Sequence, residues 1–100
     1  MSEIEKTVLR RIRKANQTNP VTRSELVRIT GVKDNHVRVI IGKLRDQGFR
    51  IVGSASTKGY FIARSEKQYK AFRAEYEKKA LTYLNRLKAM DSQTEGQVGM

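Results

Sequence analysis

The 100-residue sequence contains no cysteine and no tryptophan, a single proline, a single histidine and only ten acidic residues. Without cysteine there is no disulfide scaffold, no thiolate zinc site and no thiol nucleophile. The one histidine, His36, has no second histidine or cysteine at ligand spacing, so no metal site is expected. No apolar run approaches the roughly 18 residues of a membrane span. The residues after Met1 lack the apolar stretch of a secretory signal, and the chain is expected in the cytoplasm. Paired carboxylates, a nucleophile with a histidine partner and a glycine-rich phosphate loop are all missing. Neither an enzyme nor a protein carrying a cofactor or small-molecule ligand is expected.

Positive charge is what the chain has in excess. Its 21 Lys and Arg give a net charge of +11. Residues 1–65 carry 14 basic and 5 acidic side chains, residues 66–90 carry 7 and 3, and residues 91–100 carry none and 2. The charge is thus spread over a foldable portion and not held in a basic tail. At 38% hydrophobic, a chain of this length supports one small domain with a modest core. So large a basic excess implies a polyanionic partner, with nucleic acid the first candidate.

Hydrophobic spacing organises the rest. Ser2-Glu3-Ile4-Glu5 is a capping box, and Ile4, Val8, Leu9 and Ile12 follow at helical spacing, predicting a helix over about 3–15. After Pro20 a second box, Thr22-Arg23-Ser24-Glu25, opens a short helix that stops at Thr30-Gly31. Asp34 is expected to cap a third helix over 34–46, with Val37, Ile41 and Leu44 on its buried stripe and Gln47-Gly48 at its end. The runs 49–53 and 59–63 read as a hairpin with Phe49, Ile51, Tyr60 and Ile62 on its packed face. Residues 66–90 form the longest helical pattern, with Tyr69, Phe72, Tyr76, Ala80, Tyr83, Leu84 and Leu87 spaced by three and four. Residues 91–100 read as a disordered tail.

A short helix, a glycine turn and a longer helix have helix-turn-helix proportions, with Leu26, Ile29, Val32, Val37, Ile41 and Leu44 as the shared apolar contacts. Thr22-Arg23-Ser24-Glu25-Leu26, Gly31-Val32, Leu44-Arg45-Asp46-Gln47-Gly48 and Lys58-Gly59-Tyr60-Phe61-Ile62 together resemble the winged helix-turn-helix domain at the N-terminus of biotin operon repressors. The resemblance covers about residues 4–64. It departs from the family where Lys33-Asp34 replace a small capping residue, and where Ser54-Ala55-Ser56-Thr57 lack the glycine that often precedes the wing lysine. No ligand-sensing domain follows. The resemblance implies an α+β fold, a three-helix core plus a β-hairpin wing over residues 1–65, extended by the added long C-terminal helix of 66–90.

The same resemblance implies double-stranded DNA as partner and a small transcriptional regulator as function. The helix 34–46 would read the major groove and the 53–59 wing would touch backbone or minor groove. On the helix, Lys33, Asn35, His36, Arg38, Val39, Gly42 and Lys43 are the candidate contacts. Arg38 suits a bidentate bond to guanine and Asn35 one to adenine. Arg23 and Ser24, opening the second helix, suit phosphate, as do Ser56, Thr57 and Lys58 in the wing. The bland reading makes the same residues solvated surface. Gly42 either admits a close approach of backbone or is plain tolerance. The aromatic stripe of residues 69–87 either packs back on the domain or pairs with a second copy to make a homodimer. A winged-helix module that holds another protein is the competing function, as is an auxiliary phage or mobile-element factor in replication or recombination. Val39 and Ile40 keep the protein-binding alternative open.

Overall fold

A computed structural model of the chain describes residues 1–54 and 58–92. They form an α+β arrangement of four helices, α1 (Glu3–Lys14), α2 (Arg23–Thr30), α3 (Asp34–Asp46) and α4 (Glu66–Ser92), with strands β1 (Ile51–Ser54) and β2 (Gly59–Ile62) between α3 and α4. The strands pair antiparallel as a hairpin. The tail expected from residue 91 begins with two residues that are still helical, and its remainder lies outside the described residues. Among the described residues no helix is long and apolar enough to cross a membrane.

The hydroxyl half of each capping box forms. Ser2 Oγ accepts from the Glu5 amide at 3.2 Å and Thr22 Oγ1 from the Glu25 amide at 3.1 Å. Gly31 ends α2 at φ 75°, a left-handed turn that glycine adopts without a Cβ penalty, and its amide donates to the Val27 carbonyl at 2.8 Å. The expected cap of α3 is corrected. Lys33 holds the N-cap position with no side-chain cap bond, and Asp34 is the first helical residue. Its carboxylate goes to arginines instead, accepting from Arg23 Nε at 2.9 Å and pairing with Arg38 Nε at 3.4 Å. Two guanidiniums outbid a backbone amide for one carboxylate, which still complements the positive end of the helix dipole.

The core is wholly apolar. Val8, Leu9, Ile12 and Ala15 from α1, Leu26 from α2 and Val37, Ile40, Ile41 and Leu44 from α3 are all buried. Val21, Ile51, Val52 and Phe61 complete it, and no described polar or charged residue is buried. Two expected contributors sit further out. Ile29 is exposed, on the outer side of the short helix, and Ile4 is exposed in the first turn of α1. In the hairpin, Ile51 pairs with Ile62 and Val52 with Phe61, and directly opposed residues share a face. Val52 and Phe61 are buried on one face and Ile51 on the other. Tyr60, Ile62 and Phe49 are only half-buried.

One pairing is not visible in the sequence pattern. Val21 bridges β2 on the side away from β1, donating to and accepting from Tyr60 at 3.0 and 2.8 Å. The strand β2 is thereby flanked on both sides. Gly59 is required here, because a Cβ would lie 2.6 Å from the Val21 carbonyl oxygen. Tyr60 in turn lays its ring where a side chain at Gly53 would be.

Arginines tie these pieces together. Arg11 Nη2 donates to both Glu25 oxygens at 3.1 Å, joining α1 to α2. Arg45 donates to the Ile51 carbonyl from Nε and Nη2 at 3.0 and 2.9 Å, fixing β1 against α3. Arg64 donates to the Arg13 and Ala15 carbonyls at 3.2 and 3.0 Å, satisfying acceptors that the end of α1 leaves open. Arg50 reaches Glu66 at 2.6 Å and lies over the Tyr69 ring at 3.9 Å, holding the first turn of α4. The unit made this way spans Met1–Tyr69, and the chain from Lys70 is a second unit. Described to residue 92, that second unit is a single helix with no buried residue.

Candidate nucleic-acid interface

The buried stripe of α3, Val37, Ile40, Ile41 and Leu44, follows the i, i+3, i+4, i+7 rule. A stripe of the same spacing, Asn35, Arg38, Val39 and Gly42, must then face outward. Asn35, Arg38 and Val39 are exposed and Gly42 is half-buried. His36 and Lys43 stand beside this stripe, and Lys33 precedes it, all three exposed. The helix thus offers an amide, a guanidinium, an apolar side chain and a bare backbone along one ridge, with an imidazole beside it. Ile40 is inside the core at 3% exposure, which corrects its place among surface residues; Val39, at 54%, is the one large apolar side chain exposed on α3.

A fork at the start of α3 orients two of the expected contacts. The Asp34 carboxylate holds Arg23 and Arg38 together. The Tyr60 side chain raises the Arg23 guanidinium above its ordinary pKa; burial opposes this, and Asp34 adds to the rise. Arg23 thus has partners on α3 and β2. Sequence reading placed Arg23 toward phosphate but missed Tyr60 and Asp34 as the groups that set its position. Ser24 is exposed in the first turn of α2.

At the hairpin, Lys58 is exposed and has a left-handed backbone, φ 57°, which turns the chain into β2 ahead of Gly59. Ser56 and Thr57 lie outside the described residues. A further basic surface lies on α1, where Arg13 sits 5.4 Å over the Phe49 ring, beside Arg10 and Lys14 along a hollow of about 500 Å³. His36 has no metal-binding company, since no group of three or more His, Cys, Asp or Glu converges among the described residues.

Chemically, the ridge of α3 can donate and accept at a base edge through Asn35 and Arg38, and can meet anions through Lys33, Lys43 and Lys58. Gly42 meets no atom within 4 Å of where a Cβ would stand. Packing inside the chain therefore does not demand a glycine there. No protein family, curated protein or solved structure matches the chain.

Proposed function

We propose that the chain binds double-stranded DNA as a winged helix-turn-helix unit, with α3 in the major groove and the hairpin as the wing, and acts as a small transcriptional regulator. The observation that carries this reading is the outward ridge of α3. It is free of large apolar side chains other than Val39 and is flanked by Lys33 and Lys43. Val39 fits the groove as well, since apolar side chains contact the thymine methyl. The flanked hairpin supports the reading, because Val21 and β1 hold β2 from both sides and project the Lys58 turn from a fixed base.

The test separates base reading from phosphate contact. Arg38→Ala is expected to relax base preference and cost about 1–3 kcal/mol on the preferred duplex, with little change on random DNA. Lys58→Ala is expected to weaken both duplexes about equally. Selection of fragments from a random pool supplies the preferred duplex, and titration of both variants checks the pair. Equal losses on both duplexes for Arg38→Ala would remove that residue from base reading.

Gly42 gives a second test with opposite signs. Gly42→Ala is expected to stabilise the fold by about 0.8–1 kcal/mol, because alanine is the better helix former and its methyl meets nothing. The same methyl is expected to weaken DNA binding by standing between the α3 backbone and the groove. A thermal melt and a duplex titration read the two effects. A stabilised variant with unchanged affinity would make Gly42 a tolerated glycine and no more.

A further inference from the structure

We infer that a second copy of this chain covers α4, in a parallel two-stranded coiled coil over residues 73–91. Tyr69, Tyr76, Tyr83 and Met90 recur every seven residues, and Arg73, Ala80 and Leu87 recur every seven on the neighbouring line. A straight helix packed on a globular surface repeats near 3.6 residues. A strict seven-residue repeat marks the seam of two helices wound around each other. The seam is open to solvent, with Tyr83 67% and Leu87 50% exposed, and so is Leu84 beside it at 52%. A helix has little to hold it in water beyond its own hydrogen bonds, and a second copy would bury these side chains.

The area matches a second copy. Burying the seam against its twin removes about 1,000 Å² from water in total, at the lower end of what specific interfaces bury. Charge selects the orientation. In parallel register the positions flanking the seam bring Arg86 to the partner's Asp91, Lys79 to the partner's Leu84 and Phe72 to the partner's Glu77, with no like-charged pair among them. The antiparallel register gains a contact between Lys70 and the partner's Asp91 but sets Lys79 against the partner's Arg86. Arg73, the one charged seam residue, is drawn aside by Glu77 of its own helix at 3.2 Å. The bulky tyrosines alternate with the small Ala80, which lets the helices approach.

The full-length protein, free of DNA, tests this by light scattering after gel filtration. A mass of twice 11.5 kDa is expected. Leu84→Glu with Leu87→Glu is expected to halve it, while Leu81→Glu, which places the same charge off the seam, leaves it doubled. Circular dichroism of each variant confirms that the Met1–Tyr69 unit stays folded. The absence of native cysteine makes orientation readable. Tyr83→Cys on the seam is expected to oxidise to a covalent dimer and Lys78→Cys on the outer face not to. A single-chain mass for the unaltered protein at tens of micromolar overturns the proposal, as does a doubled mass in the double variant. Equal oxidation of the two cysteine variants overturns the parallel seam. Because no DNA is present, these outcomes are independent of whether the DNA reading holds.

Discussion

Phe61→Ala is expected to lower the unfolding free energy by about 3–5 kcal/mol. Phe61 is 2% exposed and is among the largest fully buried side chains of the Met1–Tyr69 unit. It stands on the strand flanked by β1 and Val21, opposite Val52, where β2 packs on α1. Removing the ring loses its transfer energy and leaves a cavity in the core. A unit this small has only about 5–15 kcal/mol in total, so the variant is expected to melt tens of degrees lower. Ile62→Ala, one residue along and half-buried, is expected to cost less than half as much. Chemical denaturation of the two variants checks the ratio. Equal costs would mean that the face of Ile51 and Ile62 carries as much of the packing as that of Phe61.

The second large effect is on salt. The proposed interface sets Lys33, Lys43 and Lys58 toward phosphate, so about three phosphates are neutralised on binding. Counterion release then makes the affinity for a duplex fall roughly 40-fold between about 50 and 200 mM monovalent salt. Each lysine replaced by alanine is expected to reduce the slope of log K against log salt by about 1. The six cations of the described part of α4 that follow Tyr69 take no part in this count, and a steeper slope would bring them in. Fluorescence anisotropy at four or five salt concentrations gives the slope directly. An affinity that does not change with salt would remove phosphate contact, and with it the main physical reason to read the basic excess as a DNA-binding surface.

Local chemistry was legible in the residues. Two capping boxes, two glycine stops and the 37/41/44 stripe set α1, α2 and α3 to within a residue or two, because each signal acts over a single turn. What depended on distant partners was not legible. Asp34 looks like a cap until Arg23 and Arg38 are seen to compete for it. The hairpin face could not be settled because Ile51, Val52, Phe61 and Ile62 are apolar at consecutive positions, so a period of two has no polar phase to anchor it. An extended Val21 after Pro20 is readable in the sequence, but its pairing with Tyr60 is not. The start of α4 did have a readable sign: Ser65 Oγ accepts from the Gln68 amide at 3.2 Å, a Ser-x-x-Gln box. At the candidate interface the outward ridge followed from the buried stripe, whereas the fork that aims Arg23 and Arg38 did not.

The arginine ties carry a consequence for how the charge can be altered. Arg45, Arg50 and Arg64 act through planar, multi-pronged hydrogen bonding to carbonyls, a carboxylate and an aromatic face, and an ammonium group reproduces none of these geometries. Lys33, Lys43 and Lys58 are exposed point charges. The two kinds of cation are thus separate currencies that a net charge of +11 adds together. A version with every arginine exchanged for lysine would keep that number and lose the joints between α1, β1 and the first turn of α4. One with these lysines exchanged for glutamine would keep the joints and give up the attraction.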